Sequence, residues 1–170
     1  MPRFFEEGLR AAVGETVILP GENCRLISGS LRMKPGEELV VCDNVGYDYR
    51  MVRRQMGKDS VSAGVLDKVP VSSEPAISIC VYQCIPKSDK METIIQKCTE
   101  LGVLAFTPVK SSRCIARLDE KSREKKLQRY RKIAREAAKQ SGRGKIPAVG
   151  EPMDLRNALE TAVNSGDTFS

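Results

Sequence analysis

The sequence predicts an α/β protein in two parts, a small strand-built barrel followed by a parallel-sheet layer. Three observations carry this. Residues 1–71 are filled with short β-rich segments broken by turn residues. A nearly unbroken apolar run, Ile77 to Cys84, then opens a strand–helix–strand unit. A long basic helix follows, with its hydrophobic residues at helical spacing.

In the first part, Arg3-Phe4-Phe5 reads as an edge strand, and Thr16 to Leu19 as another that Pro20-Gly21 stops. Glu22 to Arg32 reads as a short helix with Leu26, Ile27 and Leu31 on one side. Pro35-Gly36 is a turn signal. Glu38 to Cys42, Tyr47 to Val52 and Ser60 to Val65 are strands, separated by Asp43-Asn44, Gly46 and Gly57-Lys58-Asp59. Strands this short and close suggest a small barrel. Pro70 to Pro75, with its two serines, reads as a linker between a domain at 1–71 and a second at 76–170.

The second part has a different grammar. Ile77 to Cys84 has the composition of a strand buried on both faces of a parallel sheet. Asp89 and Glu92 make a capping box for the next helix. Met91, Ile94, Ile95, Cys98 and Leu101 form its apolar stripe, and Gly102 is placed to end it with a left-handed cap. Leu104 to Val109 is the returning strand. Asp119 to Ser141 is a long helix with Leu127, Tyr130, Ile133, Ala134, Ala137 and Ala138 inward, stopped by Gly142 and Gly144. Leu155 to Val163 is a short helix, and Asp167 to Ser170 looks like the entry to another strand.

Charge is concentrated along the chain. Of a net +6, residues 113–145 hold 13 Lys/Arg against 4 Asp/Glu, which is +9 and leaves −3 for the remainder. Such a region is either the footprint of a polyanion or a solvated helix face with surplus lysine. No apolar run approaches the ~20 residues of a membrane span, and MPRFFEEGLR carries no apolar signal core, so a cytosolic protein is expected. The six cysteines lack a C-x-x-C pair and read as reduced thiols, most of them inside apolar runs. Histidine is absent, which excludes a Ser-His-Asp or Cys-His centre and leaves no metal site to expect. No P-loop and no G-x-G-x-x-G after a strand occurs.

One long stretch is specific. Gln83-Cys84-Ile85-Pro86-Lys87-Ser88-Asp89-Lys90-Met91-Glu92, then Gln96-Lys97-Cys98-Thr99-Glu100-Leu101-Gly102-Val103, is similar to the signature of the RsmE family. Thr107-Pro108, Ser112-Arg113, Arg129 to Ile133, and Glu136 to Arg143 with Ile146-Pro147 continue the match. Arg3-Phe4-Phe5 and Leu31-Arg32-Met33-Lys34-Pro35-Gly36 extend it to the front, so the resemblance covers nearly the whole chain. Those enzymes are rRNA uridine N3-methyltransferases of the SPOUT (trefoil-knot) superfamily.

The resemblance implies an N-terminal PUA-like β-barrel that grips RNA and the front part of a SPOUT methyltransferase domain. The implied partner is 16S rRNA or the small ribosomal subunit, and the implied assembly a homodimer. The implied methyl donor is S-adenosylmethionine, but the family's Gly-Pro-Glu-Gly-Gly loop and later Leu-Gly…Arg-Thr-Glu segment would lie beyond Ser170. No cofactor-binding residue is therefore expected in this chain, and the chain alone is expected to be inactive. Before Leu31-Arg32 the family usually shows histidine, whereas here the segment is Asn23-Cys24-Arg25-Leu26, so it receives no catalytic part.

Uracil N3 becomes a nucleophile only when its proton leaves, and a fixed cation best stabilises the charge then spreading to the flanking carbonyl oxygens. Lys97 and Arg143 are the candidates by resemblance. The competing reading makes Lys97 an i,i+3 partner of Glu100. RNA contacts are expected from Arg3, Arg32, Lys34, Lys87, Lys90, Arg113, Arg129, Arg135, Gln140 and Ser141. Gln140 and Ser141 would otherwise end the helix, and Arg32 and Lys34 would solvate a turn. Two rival functions stand beside the first: a non-catalytic RNA-binding module, and a methyltransferase of the same superfamily acting on another RNA. The codons after Ser170 separate the first two.

Overall fold

The computed structural model describes residues 1–87, 90–111 and 120–164. The expected cap Asp89, the Ser112-Arg113 motif, Cys114 and the strand at Asp167 to Ser170 lie outside these residues. The chain divides into one unit of Met1–Glu74 with Gly142–Lys145, and another of Pro75–Ser141 with Ile146–Ser170. Gly142–Lys145, expected in the second domain, thus belongs to the first unit.

In the first unit β1 (Arg3–Phe5), β2 (Thr16–Pro20), β3 (Glu38–Cys42), β4 (Tyr47–Met56) and β5 (Ser60–Pro70) form a five-stranded sheet in the order β1-β3-β4-β5-β2. β1 runs parallel to β3, and the other pairs are antiparallel. The period of two along β4 buries Tyr49, Met51 and Arg53 and exposes Arg50 and Arg54. Phe4, Leu19, Leu39, Val41, Tyr49, Met51 and Val61 meet in one core. Of the expected small barrel, the described residues form this five-stranded sheet, with β1 and β2 at its two edges. Cys24 and Ile27, from the segment between β2 and β3, complete its core.

That segment, expected as one helix, is a five-residue α1 (Gly21–Arg25) running into a π-helical turn at Leu26–Ser30. The wider π turn puts Ile27 in the core and leaves Leu31 half-exposed, which breaks the expected stripe. β4 runs past its expected end to Met56, opposite Val61, and β5 runs past its expected end to Pro70, opposite Tyr47. Pro70 therefore closes a strand, and the expected linker is tied down: Val71 N–H donates to Gly46 O at 2.8 Å and Ser73 Oγ to Gly142 O at 2.8 Å.

In the second unit β6 (Cys80–Cys84), β7 (Ala105–Lys110) and β8 (Ala148–Val149) lie parallel in that order, and β9 (Met153–Asp154) also pairs with β7. α2 (Lys90–Glu100) joins β6 to β7, and α3 (Glu120–Gln140) joins β7 to β8. Val81, Phe106 and Val149 stand opposite one another across the strands. Met91 and Ile95 of α2 and Leu127, Tyr130 and Ala134 of α3 share the core containing Phe106 and Val149. α2 ends as expected: Val103 N–H donates to Cys98 O, Gly102 N–H to Thr99 O, and Gly102 takes φ +100.

Two expectations fail here. The apolar run is a strand only from Cys80, and Ile77 and Ile79 are exposed, because β6 is an edge of the described sheet and has no neighbour on its far side. Leu101 is 80% exposed, since the cap at Gly102 turns the chain before the stripe reaches it. α4 (Leu155–Asn164) follows β9 and buries Ala158 and Ala162. Of the described cysteines, Cys24 and Cys42 are buried, Cys98 is half-buried, and Cys80 and Cys84 are exposed, all as free thiols.

Candidate functional site

Helical periodicity divides α3 into two faces. Leu127, Tyr130, Ala134, Ala137 and Ala138 point inward, and Lys125, Lys126, Arg129, Arg131 and Lys132 are exposed. Arg129, Lys132, Glu136 and Gln140 fall at i, i+3, i+7 and i+11, a polar stripe beside the apolar one. On α2, Glu92 and Gln96 fall at i and i+4. The two stripes face each other across a groove of about 490 Å³, floored by Ile133 and Ala137.

Within the groove Arg129 forks onto Glu92, Nε to Oε1 at 2.7 Å and Nη2 to Oε2 at 2.8 Å. Lys139 pairs with Glu136 at 2.8 Å, and Gln96 Nε2 donates to Glu100. Among the described residues Lys132 enters no ion pair, so its ammonium is the cation of the groove available to a ligand. Further along the helix, Arg123 and Arg131 lie 3.9 and 3.8 Å from Glu151, long exposed contacts of little strength. The outer face of α3 thus keeps much of its positive field. This arrangement can hold phosphates along the helix and offer amide and guanidinium donors to base edges in the groove.

The first unit has a second cluster of the expected residues. Arg143 is 2% exposed, and its Nε and Nη2 donate to the Glu74 carboxylate at 3.2 and 2.6 Å. Glu74 Oε1 also accepts the N–H groups of Gly144 and Lys145 at 2.8 and 3.1 Å. Burial alone would raise the Glu74 pKa, but the Arg143 hydrogen bond, these N–H groups and the Arg143 charge outweigh it and hold the carboxyl below its ordinary range. Arg3 forks onto Asp48, both bonds at 2.7 Å, and also donates to Arg143 O at 3.1 and 2.8 Å. Cys42 Sγ donates to Gly144 O, and burial pushes that thiol up to about 11. Residues 142–145 are therefore clamped within this unit by Arg3, Cys42, Ser73 and Glu74.

The remaining candidates join neither cluster. Lys97 makes the i,i+3 pair, its Nζ 2.8 Å from Glu100 Oε2 with its side chain 61% exposed. The Lys97 hydrogen bond lowers the Glu100 pKa. Arg32 is exposed with φ 49, and Lys34, Lys87 and Lys90 are exposed. Arg135 is half-buried. Ser141 Oγ donates to Ala137 O at 2.7 Å, the helix-ending geometry, while Gln140 lines the groove. Arg113 lies outside the described residues. Sequence reasoning placed Arg129 and Gln140 here but missed Gln96, Lys132 and Glu136 as site residues and took Glu92 for a cap alone. The spacing of the two polar stripes was the signal that would have found them.

The family described as RNA methyltransferase domain matches residues 73–169. The Ribosomal RNA small subunit methyltransferase E of Bacillus subtilis is 35% identical over 162 residues, covering 94% of this chain and 63% of its own length. The Mycobacterium bovis protein of the same name is 36% identical over 138 residues, covering 80% of this chain and 52% of its own length. A crystal structure of the Neisseria gonorrhoeae Ribosomal RNA small subunit methyltransferase E bound to S-adenosyl methionine superposes with a TM-score of 0.85 at 35% identity, over 94% of this chain and 65% of that one. The chain spans less than two thirds of the length of these relatives. With a continuous match over residues 73–169 and relatives of one name along most of its length, the chain belongs to the RNA methyltransferase domain family.

Proposed function

We propose that this chain is the RNA-holding part of an S-adenosylmethionine-dependent enzyme that methylates N3 of a uridine in 16S rRNA. The observation that carries this reading is the likeness to the small-subunit methyltransferases across both units, the N-terminal sheet included. In this reading the first unit is a PUA-like RNA grip, and the outer face of α3 takes backbone phosphates. The protein works in the cytoplasm as a homodimer at the full length of its relatives.

S-adenosylmethionine supplies the methyl group when bound, but the described residues do not fit it. The 490 Å³ groove lies open along the surface between α2 and α3, whereas small-ligand sites enclose most of the ligand. The groove suits RNA. Of the two candidate catalytic cations, Lys97 is the better placed to meet a base, since its ammonium is open to solvent and held only by the exposed Glu100 pair. It would stabilise the negative charge that develops on the uracil oxygens as the N3 proton leaves. Arg143 is held by Glu74 and acts by positioning residues 142–145.

Binding of a 16S rRNA fragment should weaken steeply as salt rises. If four cations of α3 each neutralise a phosphate, the log–log slope should be about −3.6. Titration by filter binding at rising potassium chloride checks this, and a flat affinity would contradict the reading.

A further inference from the structure

Arg53 is 6% exposed, on the inward face of β4 next to Met51, yet among the described residues it meets no carboxylate. Its Nη2 rests on the Met56 thioether at 3.3 Å, a weak acceptor, and its Nε is buried with no hydrogen-bond partner. A guanidinium in this condition is costly to bury, because it gives up water and gains neither an opposite charge nor a full set of acceptors. The acid nearest in the chain's hydrogen bonding is already used: Glu37 Oε2 accepts from Lys34 N–H at 2.9 Å and so fastens its own turn.

That turn is tied to the arginine's backbone. Arg53 N–H donates to Glu37 O at 2.9 Å, and Gly36 N–H donates to Arg53 O at 2.8 Å. The segment leading into it presents Arg32, in the left-handed region at φ 49, and Lys34, both exposed. Beyond Arg53 the register slips before Met56, a bulge of the kind that re-aims side chains at sheet ends. A buried forked cation and two exposed cations are thus carried by one β-strand end and the turn bonded to it.

We infer that Arg53 is an anion-binding residue of the first unit, whose ligand is an RNA phosphate held by the guanidinium fork with Arg32 and Lys34 around it. The planar fork matches phosphate oxygens, and the bound phosphate would supply the missing acceptors and the missing charge. The inference rests on the RNA-binding reading above and names a contact within it.

The test compares the 170-residue parent with Arg53→Met and Arg53→Lys. Methionine keeps the apolar stem and removes the unpaired charge, so Arg53→Met should melt at or above the parent's Tm. Its Kd for a 16S rRNA fragment should nevertheless rise about tenfold at low salt, with the log–log salt slope shallower by about 0.9. Arg53→Lys should keep the slope while losing affinity, because the charge remains and the fork is gone. A lowered Tm in Arg53→Met with an unchanged slope would make the arginine structural and overturn the inference. If inorganic phosphate stabilises the parent but not Arg53→Met, and the RNA slope is unchanged, the ligand is the free ion and the RNA contact is wrong. A parent that binds no RNA at all would instead defeat the reading on which the inference rests.

Discussion

Replacing Glu74 by glutamine should destabilise the protein by about 3 kcal/mol, the scale for breaking a buried ion pair from one side. The Arg143 side chain is only 3% exposed, so its guanidinium cannot regain water when the carboxylate is lost. A glutamine carbonyl can still accept the N–H groups of Gly144 and Lys145, but it offers no charge to Arg143. For a chain of this size the loss corresponds to a fall in Tm of about 10 °C. The pH dependence has a definite sign. The folded-state pKa of Glu74 is depressed below its ordinary 4.5, so its contribution is fully present above about pH 4.5. It is lost as pH falls through the depressed value. Glu74→Gln should flatten that part of the acid limb, while Asp43 still contributes. Burial acts to raise the Asp43 pKa, but N–H groups of Tyr47, Gly46 and Val45 outweigh it and depress the value. Adding Arg143→Met to Glu74→Gln should restore part of the stability, because the buried charge that Glu74 answered goes with it. Thermal melts at neutral and acidic pH measure all of this, and an unshifted Tm in Glu74→Gln would remove the clamp from the account.

The second large effect is on cofactor binding. The 170-residue polypeptide by itself should give no heat of binding with S-adenosylmethionine, whereas the same sequence continued to the length of its relatives should bind it. The groove of α2 and α3, lined by Glu92, Gln96, Arg129, Lys132, Glu136 and Gln140 with Ile133 and Ala137, lies open to solvent. Affinity for a small ligand requires a largely preformed pocket that buries most of its surface. Neither cluster on the described residues supplies one, since the Gly142 to Gly144 turn is closed upon Glu74. Isothermal calorimetry on the two proteins tests this. Micromolar binding to the short polypeptide would place a cofactor pocket within these residues.

Much of the fold was legible because local chemistry and tertiary need agree. The stripe of Leu127, Tyr130, Ala134, Ala137 and Ala138 sets both the length and the buried face of α3, and Gly102 sets the end of α2. The strands of the first unit follow from alternation and turn residues. What pattern could not give was pairing. Nothing in Arg3-Phe4-Phe5 says that it pairs parallel with β3 at an edge of the sheet. Ile77 and Ile79 are apolar for a reason that the described residues do not satisfy, so hydropathy overstated β6. The same limit applies to the site. A run of cations announces itself in a sequence, but the partners Glu92 to Arg129 and Glu74 to Arg143 are 37 and 69 positions apart. Only the packing of elements shows which cations are paired and which, like Lys132 and Arg53, enter no ion pair among the described residues.

Methylation itself is the decisive measurement. The sequence continued to the length of its relatives, incubated with S-adenosylmethionine and small-subunit rRNA, should yield 3-methyluridine when the RNA is digested and its nucleosides are resolved by mass spectrometry. The 170-residue polypeptide should yield none, and Lys97→Met in the longer protein should lower the turnover with little change in RNA affinity. Absence of 3-methyluridine from the longer protein's product, or a methyl group recovered on another nucleoside, would contradict the proposed reaction.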